Sequence, residues 1–439
     1  MPHVVIVGGG FGGLFAAREL GKSGYDVTLL DKRNFHLFQP LLYQVATGTL
    51  TVGDISTQQR VVLKKHKNIR TLMSTVFDLD VDKRIIHHEH GELNYDILIA
   101  ATGVKHQYFG NDQWREHAPG LKTVEHALEI RHKIFRAFEE AEQEQDPIRR
   151  QQLMTFVVVG GGPTGVELAG ALGELAHRTM IGDFRKIDSR DAKIYLVEGA
   201  DNVLPPYSDG LRAKANGYLK GLGVDVLTHT MVKNIEAGKV TIQKGEDLST
   251  IEADTILWAA GVKISAFGRM LAERTGAEQD RGGRLLVDKD MSLPSHRDIF
   301  VVGDLAHYDR DGSPLPGLAP VAIQQGRFLG KLLKNRLNGN PDKAFNYVDK
   351  GSMAIIGRYR VVGQVGKIPV TGFTAWFTWA AVHIWSLIEP GQRVSVTVQW
   401  LWRYFGRTAD RLITGSPPHT EDIQKANGID PTSLKKENK

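Results

Sequence analysis

Two glycine fingerprints of the form G-x-G-x-x-G, about 150 residues apart, constrain this chain more than any other feature in it. The first is Gly8, Gly10 and Gly13, entered from the apolar run 4–7 and followed by Ala16-Ala17-Arg18-Glu19-Leu20. The second is Gly160, Gly162 and Gly165, entered from Thr155–Val159 and followed by Val166-Glu167-Leu168-Ala169-Gly170. In such a unit the first glycine turns the chain off a strand and the second lets backbone approach a pyrophosphate. The third lets the helix pack closely on the sheet. The helix N-terminus then offers unsatisfied N–H groups and a positive dipole end to the diphosphate. One such match alone is weak. Here each is followed by another strand-like run ending on an acid: Asp31, 23 residues after Gly8, and Glu198, 38 residues after Gly160. An acid there accepts from a ribose hydroxyl, and at Glu198 it repels a 2′-phosphate and favours NADH over NADPH. The longer second spacing is expected to hold an inserted loop at 176–192, and Pro163 stands at a favoured first helical position.

Strand-length apolar runs alternate with helical stretches along most of the chain, which predicts an α/β fold with parallel sheets and crossover helices. At 439 residues the chain needs more than one core. The expected architecture is two Rossmann-like dinucleotide-binding domains plus a C-terminal membrane-associating region. Residues 1–115 and 265–335 would form the first, 116–264 the second and 336–439 the last. A charged helix is expected over 124–145, ending near Asp146-Pro147. The runs 97–101 and 299–302 end in small-residue turns, Thr102-Gly103 and Gly303-Asp304, and Trp258-Ala259-Ala260-Gly261 repeats the first of these in the second unit. This arrangement resembles the two-dinucleotide flavoprotein superfamily, where the aspartate matching Asp304 binds the FAD ribityl chain. The resemblance implies FAD on the first unit, held by Gly8, Gly10, Phe11, Gly12, Gly13, Asp31, Lys32, Arg33, Ala101, Thr102, Gly103, Gly303, Asp304 and Ala322. NADH, as substrate, falls to Gly160, Gly162, Thr164, Gly165, Glu198, Ala260 and Gly261. The two cofactors carry the redox chemistry and the protein positions them.

There is no cysteine in the sequence. That excludes disulfide frameworks, Cys-ligated zinc, iron–sulfur clusters and thiol nucleophiles. Disulfide reductases, cysteine-dependent peroxide reductases and sulfide:quinone oxidoreductases are excluded with them. A quinone, a small redox protein such as ferredoxin or rubredoxin, and oxygen remain as electron acceptors. Over essentially its whole length the chain resembles the type II NADH:quinone oxidoreductases. The specific parts are Phe38-Gln39-Pro40-Leu41-Leu42-Tyr43-Gln44, Gly165-Val166-Glu167 and Ala319-Pro320-Val321-Ala322-Ile323-Gln324-Gln325-Gly326. The resemblance implies hydride transfer from NADH to FAD, then two electrons to a membrane quinone in a respiratory chain, without proton pumping. It also implies a catalytic role for Glu167, which read alone is a first-turn carboxylate favoured by the helix dipole. The family's quinone motif is Ala-Gln-x-x-Ala-x-Gln. Gln324 matches its second glutamine, while Pro320, which donates nothing, stands in place of the first, so that contact is either absent or made by another group such as Gln325. On a helix these two glutamines occupy adjacent faces, so one of them faces the ring. A soluble NADH-dependent reductase of a small electron-transfer protein is the alternative, and a non-catalytic flavoprotein sensor a second.

The C-terminal region has its own signature. Residues 368–388 contain no Asp, Glu, Lys or Arg, and five of the seven tryptophans lie between Trp376 and Trp402. Trp400, Trp402, Tyr404 and Phe405 are interleaved with Arg403, Arg407 and Arg411, whose four-residue spacing would line one helix face. Thr371, Thr374, Thr378, His383 and Ser386 dilute the apolar run, and Pro369 and Thr371-Gly372 shorten its helix to about 16 residues, short of a span. The expectation is an amphipathic helix pair on an anionic lipid surface, with a spanning helix or a homodimer interface as alternatives. His383 reads as a satisfied polar residue. From Gly351 onward there are 11 Lys/Arg against 6 Asp/Glu, leaving 44 of each before it; a solvated tail ending in Lys435, Lys436 and Lys439 explains that equally well. With a strand at 4–7 and no leader ahead of it, the expected location is peripheral, on the cytoplasmic face of the inner membrane. Asp309-Arg310-Asp311-Gly312 lacks the later ligands of a calcium loop, His87-His88-Glu89-His90 reads as an exposed hairpin, and no nucleic-acid module or metal site is visible.

Overall fold

A computed structural model describes residues 1–405, apart from 342 and 367, together with 411–413. Its frame is a pair of parallel sheets. In the first, His3–Val7 lies between Asp26–Asp31 and Ile97–Ala100; Ile69–Met73 flanks one side, His296–Val301 the other, and Ser292–Leu293 adds an antiparallel edge. In the second, Thr155–Val159 lies between Lys193–Val197 and Thr255–Trp258, with Val224–Leu227 outside. Both central strands are continuous apolar runs and are buried on both faces, as parallel sheets require. The chain leaves the first sheet, builds the second and returns to the first at 292–301. The two crossings pair with each other, Val104–His106 antiparallel to Val262–Ile264.

Helix Val124–Gln143 starts at Thr123, whose hydroxyl accepts from His126 N at 3.3 Å, and stops two residues earlier than expected. Asp146 instead caps the next helix, Pro147–Leu153, accepting from Ile148 N at 3.0 Å. The buried face of Val124–Gln143 belongs to a core shared by the second sheet, the segment 38–55 and the C-terminal sheet of Ser352–Ile356, Arg360–Val365 and Ile368–Thr371. Phe38, Leu41 and Leu42, expected with the first unit, thus pack with the second, and the C-terminal sheet shares that core. A separate core lies under the first sheet. Helix Ala319–Leu337 packs onto helix Phe11–Leu20 so closely that a Cβ on Gly326 would overlap the Gly12 carbonyl oxygen. Part of the Ala319–Gly326 signature is therefore a packing requirement.

Four details depart from or refine the sequence reading. His88 is buried inside its hairpin, its ring 2.9 Å from Ser74 Oγ. Asp311-Gly312 is a two-residue hairpin turn with φ +56° and +81°, the left-handed pair that Asp-Gly favours. Helix Pro390–Phe405 carries only Arg403 of the three spaced arginines. Arg411 lies beyond the helix, paired with the Asp183 carboxylate and donating to Thr179 O at 3.2 Å. A row of three arginines on one helical face is thereby excluded. Arg407 and the terminal lysines fall outside the described residues. The run 368–388 divides into strand Ile368–Thr371 and helix Gly372–Ser386. Among the described residues no helix is long and apolar enough to cross a membrane.

Candidate active site

Both glycine turns use the same devices. Gly8 and Gly160 hold φ of +105° and +107°, where a Cβ would come within 2.5 Å of Ala101 O and 2.8 Å of Ala260 N respectively. A Cβ on Gly13 would overlap the Gly8 carbonyl oxygen, and one on Gly165 would overlap that of Gly160. Gly10 and Gly162 face open space, as expected of glycines that admit a ligand against the backbone. Gly103 and Gly261, closing the matching turns, hold φ of +63° and +66°. The strand-end acids brace these turns. Asp31 accepts from Gly9 N at 2.5 Å and Arg33 N at 2.8 Å. Glu198 accepts from Gly161 N and, at 2.7 Å, from Ala200 N. Burial raises the Asp31 carboxyl above its ordinary value, against the pull of those backbone donors.

A cavity of about 750 Å³ follows the first turn. Every residue expected on that side lines it except Gly13, which lies beneath at the helix–strand contact. Asp304 projects from a turn whose Gly303 N–H donates to the buried Gln325 Oε1 at 2.7 Å. A cavity of about 410 Å³ adjoins it and is walled by Thr164, Glu167 and Gly261 together with Gln39, Tyr43, Arg284 and Asp304. Gly160, Gly162, Gly165, Glu198 and Ala260 are not among its walls and form the turn alongside. Glu167 lies past the first turn of helix Pro163–Glu174, so the dipole reading of it does not hold. Burial raises its carboxyl to about 8, so that it carries its proton near neutrality.

Sequence reasoning missed several walls of this site. Lys122 Nζ lies 3.6 Å from Asp304 Oδ2, and both residues line both cavities. Arg33 donates to Glu125 at 2.8 Å; against the burial that would raise it, this and the Thr123 hydroxyl bring Glu125 down to about 2. His106 lines both cavities, and burial lowers it to about 3, leaving a neutral ring whose Nε2 has no partner among the described residues. The glutamines depart from expectation in the opposite sense. Gln324 spends its amide on Val348, donating to its carbonyl and accepting from its N–H, both at 3.0 Å. Neither glutamine walls these cavities, because Val348 engages one and Gly303 the other.

The stretch 2–326 matches the family described as pyridine nucleotide-disulphide oxidoreductase. The type II NADH:quinone oxidoreductase Ndh of Mycobacterium tuberculosis is 41% identical over 407 residues, covering 91% of this chain and 87% of that protein. The chain belongs to the type II NADH:quinone oxidoreductases. The enzyme of that name from Staphylococcus haemolyticus is 30% identical over 383 residues, covering 85% of this chain and 92% of its own. Among solved structures, NDH2 of Plasmodium falciparum in complex with NADH aligns with a TM-score of 0.85 at 21% identity, over 93% of this chain and 99% of that one. This oxidoreductase carries the wider family's nucleotide frame without any cysteine to form its disulfide.

On the far side of Tyr43 lies a chamber of about 100 Å³, lined by Gln44, Thr47, Tyr359, Trp376, Trp379 and Trp400 among others. Trp379 is 1% exposed and its Nε1 has no partner among the described residues. His383 is satisfied, 2.7 Å from Trp379 O, and burial lowers it to about 4. Above the chamber, helix Pro390–Phe405 turns its polar side inward. Gln392 donates to Gly53 O and Ser56 O, and Ser395 and Gln399 donate to Asp54 Oδ1, all within 2.8–2.9 Å. Val394, Val398, Leu401 and Trp402 point outward, as do Phe373, Phe377 and Trp385 of Gly372–Ser386; Trp402 is 72% and Trp385 78% exposed.

Proposed function

We propose that this oxidoreductase holds FAD on the first glycine turn and binds NADH against the second. It passes two electrons to a quinone entering from the membrane surface, and pumps no protons. The observation that carries the acceptor is the wall formed by Tyr43. One side of it faces the cavity holding Glu167, and the other faces an aromatic chamber under an outward-facing apolar surface. A soluble partner protein has no use for either feature. An apolar patch outside and a polar seam inside fit helices lying in a lipid interface, which supports a peripheral position on a membrane surface; the inner membrane's cytoplasmic face is the position expected from the sequence.

The FAD assignment is supported by the larger cavity, the open face at Gly10 and the cationic Lys32, Arg33 and Lys122 beside it. The bound flavin would supply the chemistry of accepting a hydride and delivering two electrons. The chain's own residues do the rest. Asp31 braces the glycine turn and presents its carboxylate to a ribose hydroxyl, Gln325 fixes the turn bearing Asp304, and Glu198 plays the role of Asp31 for NADH. Glu167, protonated below about pH 8, holds a proton where a reduced acceptor needs one. Trp379 Nε1 offers an unused donor to a quinone carbonyl in the chamber. Gln324, committed to Val348, has no part in this.

The test is steady-state NADH oxidation by holoprotein with menaquinone and ubiquinone analogues and with ferredoxin, with and without anionic vesicles. The reading predicts quinone turnover far above the oxygen rate, raised by lipid. Turnover with ferredoxin and no quinone reduced faster than oxygen would overturn it.

A further inference from the structure

The Trp-rich helix reaches the reaction cavity through a chain of two hydrogen bonds. Trp400 Nε1 donates to Gln44 Oε1 at 3.0 Å, and Gln44 Nε2 donates to the Tyr43 hydroxyl oxygen at 2.9 Å. An indole N–H only donates, so the Gln44 atom facing it must be the carbonyl oxygen. The other end of the amide is then an N–H, and the Tyr43 oxygen must accept from it. What remains to Tyr43 is its phenol hydrogen, which has no acceptor among the described residues. Burial, with Glu167 close by, holds that phenol well above its ordinary value, so the hydrogen stays on. Gln44 is buried, and Trp379 stacks on Trp400 at 5.1 Å between ring centroids, fixing the indole plane.

We propose that Trp400 and Gln44 are positioning residues that lock the Tyr43 hydroxyl as a hydrogen-bond donor to the quinone oxygen, the atom that gains negative charge on reduction. The inference rests on the quinone reading above. Tyr43 touches the substrate and transfers nothing; the other two act only through the direction they impose on its hydrogen. A donor already aimed at developing charge needs no reorientation during the reaction. The same bonds tie the outward-facing helix to the site, so the C-terminal region is part of the catalytic geometry as well as an attachment.

Trp400→Phe keeps the ring and its stack on Trp379 but removes the N–H, freeing the Gln44 amide to turn over. It is expected to lower kcat with a quinone analogue about tenfold while the KM for NADH stays put. Tyr43→Phe is expected to cost about a hundredfold. The double variant should be no slower than Tyr43→Phe alone, because Trp400 works through the hydroxyl. A helix-docking role would instead lower the melting temperature and multiply with Tyr43→Phe. Unchanged quinone kcat in Trp400→Phe, or losses that multiply, overturns the inference. If Trp400→Phe purifies without flavin, Gln44→Met, which removes both bonds, is read against Tyr43→Phe in the same way. A wild-type holoprotein that reduces no quinone removes the functional reading itself; one that does, with losses that multiply in the double variant, removes only this inference.

Discussion

The two glycine turns share their backbone and differ in what stands around them. Seven residues after its first glycine, the first unit has Phe15 and the second has Glu167. Phe15 is buried, with the guanidinium of Arg327 4.9 Å from its ring centroid and that of Arg18 5.3 Å. Glu167 stands in a cavity wall with its carboxyl raised to about 8. Because an aromatic serves this helix position in one copy, the fold has no need of an acid there. That supports the catalytic role proposed for Glu167. The surroundings differ too. The first turn is enclosed by the segments 122–126, 302–304 and Ala322, which suits a resident cofactor, whereas the second faces 39–43, which suits a ligand that comes and goes.

The hardest break is at the turns themselves. Gly8→Ala forces a left-handed φ on alanine, at about 1–3 kcal/mol, and drives its Cβ against Ala101 O. It should yield protein without flavin and without activity. Gly160→Ala imposes the same strain yet should retain flavin, with the KM for NADH raised at least tenfold; flavin absorbance and NADH kinetics separate the two. If both variants lose flavin alike, the two turns do not divide the cofactors between them.

Next in size is the contrast at the helix position. Glu167→Gln should lower kcat about a hundredfold with flavin intact, whereas Phe15→Leu should cost stability and little turnover. Activity that depends on the protonated Glu167 is full below about pH 8 and falls as pH rises through that value. The Glu167→Gln profile should lack this alkaline limb, and a retained limb assigns it to another group. Because the folded-state value of Glu167 lies above the ordinary 4.5, stability also falls from about pH 4.5 to 8 in wild type. Thermal melts of the glutamine variant should be flatter over that window.

Smaller effects come from the acids. Glu198→Gln should narrow discrimination against NADPH about tenfold, read as the ratio of kcat/KM values; an unchanged ratio means that Glu198 does not meet the ribose. Smallest is Lys122→Met, which breaks a partly exposed pair with Asp304 worth up to about 1 kcal/mol. It should loosen flavin severalfold, by dilution-dependent fluorescence, and leave the KM for NADH unchanged. A rise in that KM would place Lys122 on the second ligand.

Local features were legible in the sequence because a turn is written by the residues in it. The strands at 3–7 and 155–159, the two glycine turns and the acids after them follow from glycine conformation and strand periodicity. Elements set by distant partners were not. Lys122 matters because Asp304, 182 positions later in the numbering, comes to meet it. Tyr43 was visible only as part of a motif, and its bond to Gln44 and Trp400 depends on the C-terminal helix folding back. Gln324 misled for the same reason. A helical pattern tells which side chains are neighbours, not that Val348 will claim one of them. The row of arginines failed because Arg411 lies outside the helix, drawn to Asp183, a partner that helical spacing does not show.

The central claim is that a flavin kept on the first turn is reduced by NADH at the second and reoxidised by quinone. Anaerobic rapid mixing tests it most directly. Holoprotein is bleached with one equivalent of NADH and then mixed with a menaquinone analogue, following flavin absorbance. The account predicts that the oxidised spectrum returns at a rate no slower than steady-state turnover, and that acid-released flavin is FAD at one per chain. A flavin that stays reduced in the presence of quinone, and recovers only with oxygen or ferredoxin, would contradict it.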